Sequence, residues 1–108
     1  MKPVVFLGDS LAQLRAFPDG ARRNGGFQLD RVQRGLDPDD WKPMKSIGPG
    51  VREIRVRDAA GVFRVIYIAA LAEAIYVLHA FQKKTRKTSA RDIALAESRY
   101  RELKRSAQ

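Results

Sequence analysis

The alternation of apolar and polar positions divides the chain into seven elements. Residues 3–7 form a short apolar run rich in β-branched and aromatic residues and closed by Gly8, which reads as a first strand. Asp9 or Ser10 then caps a helix whose apolar positions Leu11, Leu14 and Phe17 fall on one stripe. Pro18 ends that helix and stands near the start of a second, in which Phe27, Leu29, Val32 and Leu36 share a face. Gly25 and Gly26 lie inside it at a cost of ~1 kcal/mol each relative to alanine, which blurs its N-terminal boundary. Between Gly35 and Gly50 three prolines and further glycines break every period, so the segment reads as a connection that Trp41 pins to the core.

After Gly50 the period switches to two. Residues 51–57 set Ile54 and Val56 on one face and Glu53, Arg55 and Arg57 on the other. Asp58-Ala59-Ala60-Gly61 is a hairpin connection, with Gly61 free to take positive φ. Residues 62–69 are nearly continuous and apolar, as in a central strand, except for Arg64, whose buried charge calls for a partner. Leu71 to Glu73 turns the chain into a last strand. Strict alternation there puts Ile75, Val77, His79, Phe81 and Lys83 on one face, and Tyr76, Leu78, Ala80 and Gln82 on the other. Ser89-Ala90-Arg91-Asp92 is a capping-box pattern that opens a helix running to about Lys104. Ile93, Ala96, Tyr100 and Leu103 form its apolar stripe, while Arg91, Arg99, Arg101 and Arg105 point elsewhere. The expected order is β-α-α-β-β-β-α in one α+β domain spanning residues 1–108. Two N-terminal helices pack on one face of a small antiparallel sheet, a helix closes the chain, and the second sheet face is left for function.

Composition narrows the function. The 108 residues hold 21 Lys plus Arg against 12 Asp plus Glu, a net charge of +9, which favours a polyanionic partner. Nine cations against three acids lie between Phe81 and Gln108, so two thirds of the excess sits in the last quarter. The absence of cysteine removes disulfides, thiolate metal sites and cysteine nucleophiles. A single histidine makes a zinc centre improbable, and no cofactor or metal is expected. The apolar N-terminal run is too short for a signal peptide, and Glu73 interrupts the only membrane-like stretch. A soluble, cytoplasmic protein without a membrane partner is expected.

Were that polyanion an RNA to be cut, the function that the family resemblance given below implies, metal-free cleavage would need a proton acceptor for the ribose 2′-hydroxyl, a donor for the leaving 5′-oxygen, and cations for the phosphorane charge. Arg55, Arg64 and Lys83 suit the last role, because guanidinium forks match phosphate geometry and both neighbouring-strand arginines would share one face. His79 titrates near neutrality and suits either proton role, or else is a structural histidine at a strand end. Phe81 is either a platform for an unpaired base or a core residue. Lys45, Arg57, Lys84, Arg86 and Lys87 are candidate RNA phosphate contacts, and Lys42 is a weaker one. Arg64 has a bland alternative, a cross-strand pair with Glu53.

Three runs carry a family resemblance: Met44-Lys45-Ser46-Ile47-Gly48-Pro49-Gly50-Val51-Arg52-Glu53-Ile54-Arg55, Phe63-Arg64-Val65-Ile66-Tyr67, and Leu78-His79-Ala80-Phe81-Gln82-Lys83-Lys84-Thr85-Arg86-Lys87-Thr88. Together they closely resemble HigB-type toxins of the RelE superfamily, in its phage-derived-protein-like branch. The resemblance implies a type II toxin–antitoxin toxin, a ribosome-dependent endoribonuclease that cuts mRNA and is neutralised by a cognate helix-turn-helix antitoxin. Ribosomal RNA and mRNA are then its nucleic-acid partners. It places Arg55, Arg64 and Lys83 at positions where the superfamily carries basic residues. Ser89 stands where this branch usually has proline. The C-terminal tyrosine of some relatives has no clear equivalent, since Tyr100 lies deep in the last helix, and this leaves the general base open. Two other functions suit the same features: a ParE-like poison of DNA gyrase and a non-catalytic RNA-binding protein.

Overall fold

A computed structural model describes residues 1–106, in eight elements: β1 (Val4–Phe6), α1 (Ser10–Arg15), α2 (Asp19–Gln33), β2 (Trp41–Pro43), β3 (Val51–Asp58), β4 (Gly61–Ile68), β5 (Ile75–Lys83) and α3 (Ala90–Ser106). The α+β class and the order of helices follow the expectation, with one strand more. That strand is β2, which pairs antiparallel with β3 in register Trp41 with Ile54 and Lys42 with Glu53. Pro43 sits on this outer edge strand, where a missing N–H costs no ladder bond, and the next residue, Met44, still donates to the Val51 carbonyl at 2.8 Å. Trp41 does not enter the core as expected; its ring lies 3.9 Å from the Arg52 guanidinium carbon in a cation–π contact.

The sheet order is β1-β5-β4-β3-β2, antiparallel except for β1, which lies parallel to β5. The hairpin joining β3 to β4 closes as Asp58 faces Gly61, with Gly61 at φ +139° and Asp58 accepting a hydrogen bond from the Ala60 N–H at 3.0 Å. Helices α1 and α2 cover one face, where Leu14, Phe17, Leu29 and Val32 pack on Ile54, Val56, Phe63, Val65, Val77 and Ala80. Gly25 in α2 has a packing reason, since a Cβ there would lie 3.1 Å from Leu14 and the two helices approach across it, whereas Gly26 has open space around it. Phe27 and Leu36, expected on the buried stripe, are exposed: Ala21, Gly25 and Gln28 take the inward positions of α2 beside Leu29 and Val32, and Leu36 lies beyond the end of the helix at Gln33.

The second face is not left open. Helix α3 covers much of it through Ala96 and Leu103, against Val51, Ile66, Ile68, Leu78 and Phe81. Burying each large aliphatic side chain in this layer contributes ~1.5–3 kcal/mol, which is enough to hold α3 down. Ser89 caps the helix as expected, its Oγ accepting from the Asp92 N–H at 3.2 Å and donating to the Asp92 carboxylate at 2.6 Å.

The alternation expected for β5 fails in its middle. Tyr67 pairs with Val77 but the preceding Ile66 pairs with His79, so Leu78 is an extra residue in a β-bulge. Ile75 and Val77 pack toward α1 and α2, whereas Tyr76 and Leu78 pack toward α3. After the bulge Ala80 faces the first pair of helices, and His79 and Phe81 face α3. Ile75 and Val77 are therefore on the opposite face from His79, Phe81 and Lys83.

Candidate nucleic-acid interface

The α3 side of the sheet carries the chemistry in three cross-strand rows. Glu53 lies opposite Ile66, and Ile66 opposite His79; Arg55 lies opposite Arg64, and Arg64 opposite Phe81; Arg57 lies opposite Val62, and Val62 opposite Lys83. Directly opposed residues share a face in an antiparallel pair, so five predicted site residues, Arg55, Arg57, Arg64, Phe81 and Lys83, converge on one patch.

Arg64 is the deepest of them, with a side chain only 7% exposed and a fully buried partner in Glu53, whose Oε1 lies 3.2 Å from its Nε. Neither atom has a well-aligned hydrogen bond, so the contact is Coulombic. Arg64 Nη1 donates to the Phe63 carbonyl at 3.3 Å. Glu53 also accepts from Thr88 Oγ1 at 3.1 Å and faces Lys42 Nζ at 3.8 Å. Burial pushes the Arg64 guanidinium below its ordinary pKa; Glu53 and Asp40 oppose this shift, and Arg55 and Arg57 add to it. Both sequence alternatives for Arg64 thus meet in one place: it pairs with Glu53 and stands between Arg55 and Phe81.

Arg55, 30% exposed, and Arg57, 75% exposed, are the reachable arginines, and Asp40 lies between them at 3.7 and 3.8 Å. Lys83 closes the patch on β5. Partial desolvation first, and the Arg64 charge second, lower its ammonium pKa below the usual lysine value. Lys84, Arg86 and Lys87 are exposed just beyond β5. Lys45 is exposed in the turn between β2 and β3, near Val51, at the other end of β3 from Arg57. The structure does not bring it to the patch.

His79 is buried and held at both ring nitrogens. Nε2 lies 2.7 Å from Asp92 Oδ1, and Nδ1 lies 3.3 Å from Arg99 Nη1. A guanidinium only donates, so Nδ1 is the acceptor and the ring proton sits on Nε2, donated to Asp92. The ring stacks on Phe81 with centroids 5.0 Å apart and planes 17° from parallel. Arg99, expected to point away from the sheet, turns into it instead. It donates to the Leu78 carbonyl at 2.9 Å and to Asp9 at 2.6 Å, joining the start of α1, β5 and α3. The Leu78 bulge and the open turn at Gly8 admit its long side chain: Gly8 has φ +55°, and a Cβ there would stand 2.5 Å from Arg99 Cζ.

A groove of about 450 Å³ runs beside this network, lined by Asp9, His79, Phe81, Lys83, Ser89 and Arg91 among others. Among the described residues no three His, Cys, Asp or Glu side chains converge to hold a metal ion, and no helix is long and apolar enough to cross a membrane. Sequence reasoning missed Asp40, Thr88, Asp92 and Arg99. Asp92 was visible only as a capping residue, and Arg99 and Asp40 reach the site through tertiary contacts that no spacing encodes.

A search of curated proteins finds no match. The family model for Phage derived protein Gp49-like (DUF891) matches residues 12–101, a span that contains every predicted site residue. With five-sixths of its length inside that match, the chain belongs to the Gp49-like family of phage-derived proteins, a toxin family of toxin–antitoxin systems of the RelE/HigB type.

Proposed function

We propose that this protein is a HigB-like mRNA endoribonuclease that works on the ribosome, without a metal, and is neutralised by a cognate helix-turn-helix antitoxin. The observation that supports it most is the convergence of Arg55, Arg57, Arg64 and Lys83 on one sheet face, beside the exposed Lys84, Arg86 and Lys87. Such a face presents permanent positive charge where the phosphorane would form. In the reaction the ribose 2′-oxygen attacks phosphorus as its proton leaves, the bond to the 5′-oxygen breaks, and that oxygen takes up a proton. The products are a 2′,3′-cyclic phosphate and a 5′-hydroxyl. Lys83, with its lowered pKa, is the patch residue best suited to exchange a proton. Arg55 neutralises phosphate charge, and Arg64 acts from beneath, fixed by Glu53. His79, held at both nitrogens and stacked on Phe81, is a positioning residue in this scheme.

Purified protein added to translating ribosomes tests the proposal by primer extension on the message. Cleavage is expected, with losses of ~10²–10³-fold in Arg55→Ala and Lys83→Ala at unchanged melting temperature. Intact messages, or full cleavage by both variants, would overturn the assignment. Intact messages together with DNA damage in cells would point to gyrase as the target.

A further inference from the structure

We infer that Arg55 and Arg57 form a phosphodiester-binding subsite that the Asp40 carboxylate occupies in the free protein. The inference rests on the patch being a nucleic-acid interface and names how one of its phosphates is held.

Asp40 is anchored through its backbone. The Arg55 N–H donates to the Asp40 carbonyl at 2.8 Å, which sets residue 40 beside β3 just before β2 begins. Its carboxylate then bridges two arginines two positions apart on one face, Oδ1 toward Arg55 Nη1 at 3.7 Å and Oδ2 toward Arg57 Nε at 3.8 Å. A phosphodiester offers the same arrangement, two oxygens sharing one negative charge, each facing a guanidinium. Both contacts exceed hydrogen-bonding distance, so the carboxylate is attracted without being locked. The arginines keep donors in reserve: Arg55 Nε is buried and has no hydrogen-bond partner.

The other carboxylate of the patch cannot exchange in this way. Glu53 is fully buried and committed to Arg64 and Thr88. Asp40 is 42% exposed, touches the two reachable arginines, and swings on a short side chain. Its exchange for a phosphodiester leaves the local charge unchanged, so the like-charge repulsion among Arg55, Arg57 and Arg64 stays screened before and after binding. An internal competitor lowers apparent affinity by the fraction of molecules in which the subsite is open, and it rejects weakly charged ligands.

The test is a titration with inorganic phosphate, read on the Nε–Hε NMR signals of Arg55 and Arg57, in wild type, Asp40→Asn and Glu73→Gln. Glu73 is an exposed acid at the other end of the sheet, so its variant makes the same change in net charge away from the patch. Phosphate is expected to move both arginine signals and to saturate at three- to tenfold lower concentration in Asp40→Asn alone. Arg57→Gln, a change at a mostly exposed residue, is expected to abolish the Arg55 response. Equal saturation in wild type and Asp40→Asn, or a matching gain in Glu73→Gln, overturns the subsite. A single-stranded oligouridylate titrated in parallel separates the two levels. If it binds and phosphate shows no Asp40 dependence, the interface stands and the subsite falls. If phosphate behaves as expected and the oligomer does not bind, the subsite stands and the nucleic-acid assignment falls.

Discussion

Arg64→Ala is expected to disarm the protein mainly by loosening its fold. The substitution leaves Glu53 fully buried with only Thr88 Oγ1 at 3.1 Å and a distant Lys42 ammonium at 3.8 Å. Removing one partner of a buried ion pair costs ~3–5 kcal/mol, and the Thr88 hydrogen bond places the loss near the lower figure. A domain of this size has ~5–15 kcal/mol in total. With ~4–8 °C of melting temperature per kcal/mol, the variant should melt roughly 10–30 °C below wild type. Replacing both partners, Glu53→Met with Arg64→Met, leaves no orphaned charge and is expected within ~1 kcal/mol of wild type or above it. Urea unfolding followed by circular dichroism decides the matter, provided the slope against denaturant is unchanged. If Arg64→Ala unfolds within ~1 kcal/mol of wild type, or the double variant is as unstable as the single one, the pair does not carry the energy assigned to it. The double variant is also the proper probe of chemistry, since it removes the guanidinium while keeping the fold.

Three further outcomes follow from the same contacts. The hydrogen bond from Arg99, and then its charge, hold the Asp9 carboxyl below its ordinary pKa. Its contribution to stability is therefore full above about pH 4 and lost as pH falls through the depressed folded value, so urea midpoints measured at pH 6 and pH 3 should differ less in Asp9→Asn than in wild type. Lys83 has the opposite charge and a lowered folded pKa; between that value and its ordinary one the unfolded chain binds the extra proton, stability rises with pH, and Lys83→Met should remove that rise. Gly8→Ala meets both a positive φ and the Arg99 guanidinium, with an expected loss of ~1–3 kcal/mol and a shift of the His79 ring resonances as Arg99 is displaced.

Period and charge made the main strands and the last helix legible, because burial on one face leaves a mark at every second or third residue. Ile54 and Val56 face inward, Arg55 and Arg57 face outward, and Ser89 caps α3, all as the sequence implied. The strand around Trp41 was hidden by its length of three residues and by Pro43, which punctuates like a loop. The exposure of Phe27 was equally hidden, since a helix does not announce which neighbour sits over which stripe. Within the patch, residue type was enough to propose Arg55, Arg64 and Lys83. The ties of Arg99 to Asp9 and His79 join residues far apart in the chain, and they exist only because β1, β5 and α3 meet.

The bulge at Leu78 splits β5 into two halves that answer to different demands. Before it, inward positions serve the packing of the two N-terminal helices; after it, the same count along the chain serves the charged patch. Loss of Leu78 itself would make Val77 and His79 consecutive partners of Tyr67 and Ile66, so the strand would become regular and His79, Phe81 and Lys83 would stay on the α3 side. The cost of that deletion is the apolar side chain lost from beneath α3 and the carbonyl that accepts from Arg99, not the register of the charged face. The upstream half, Ile75 to Val77, carries none of the side chains of the charged patch. One unpaired leucine separates what the protein needs in order to stand from what it needs in order to act.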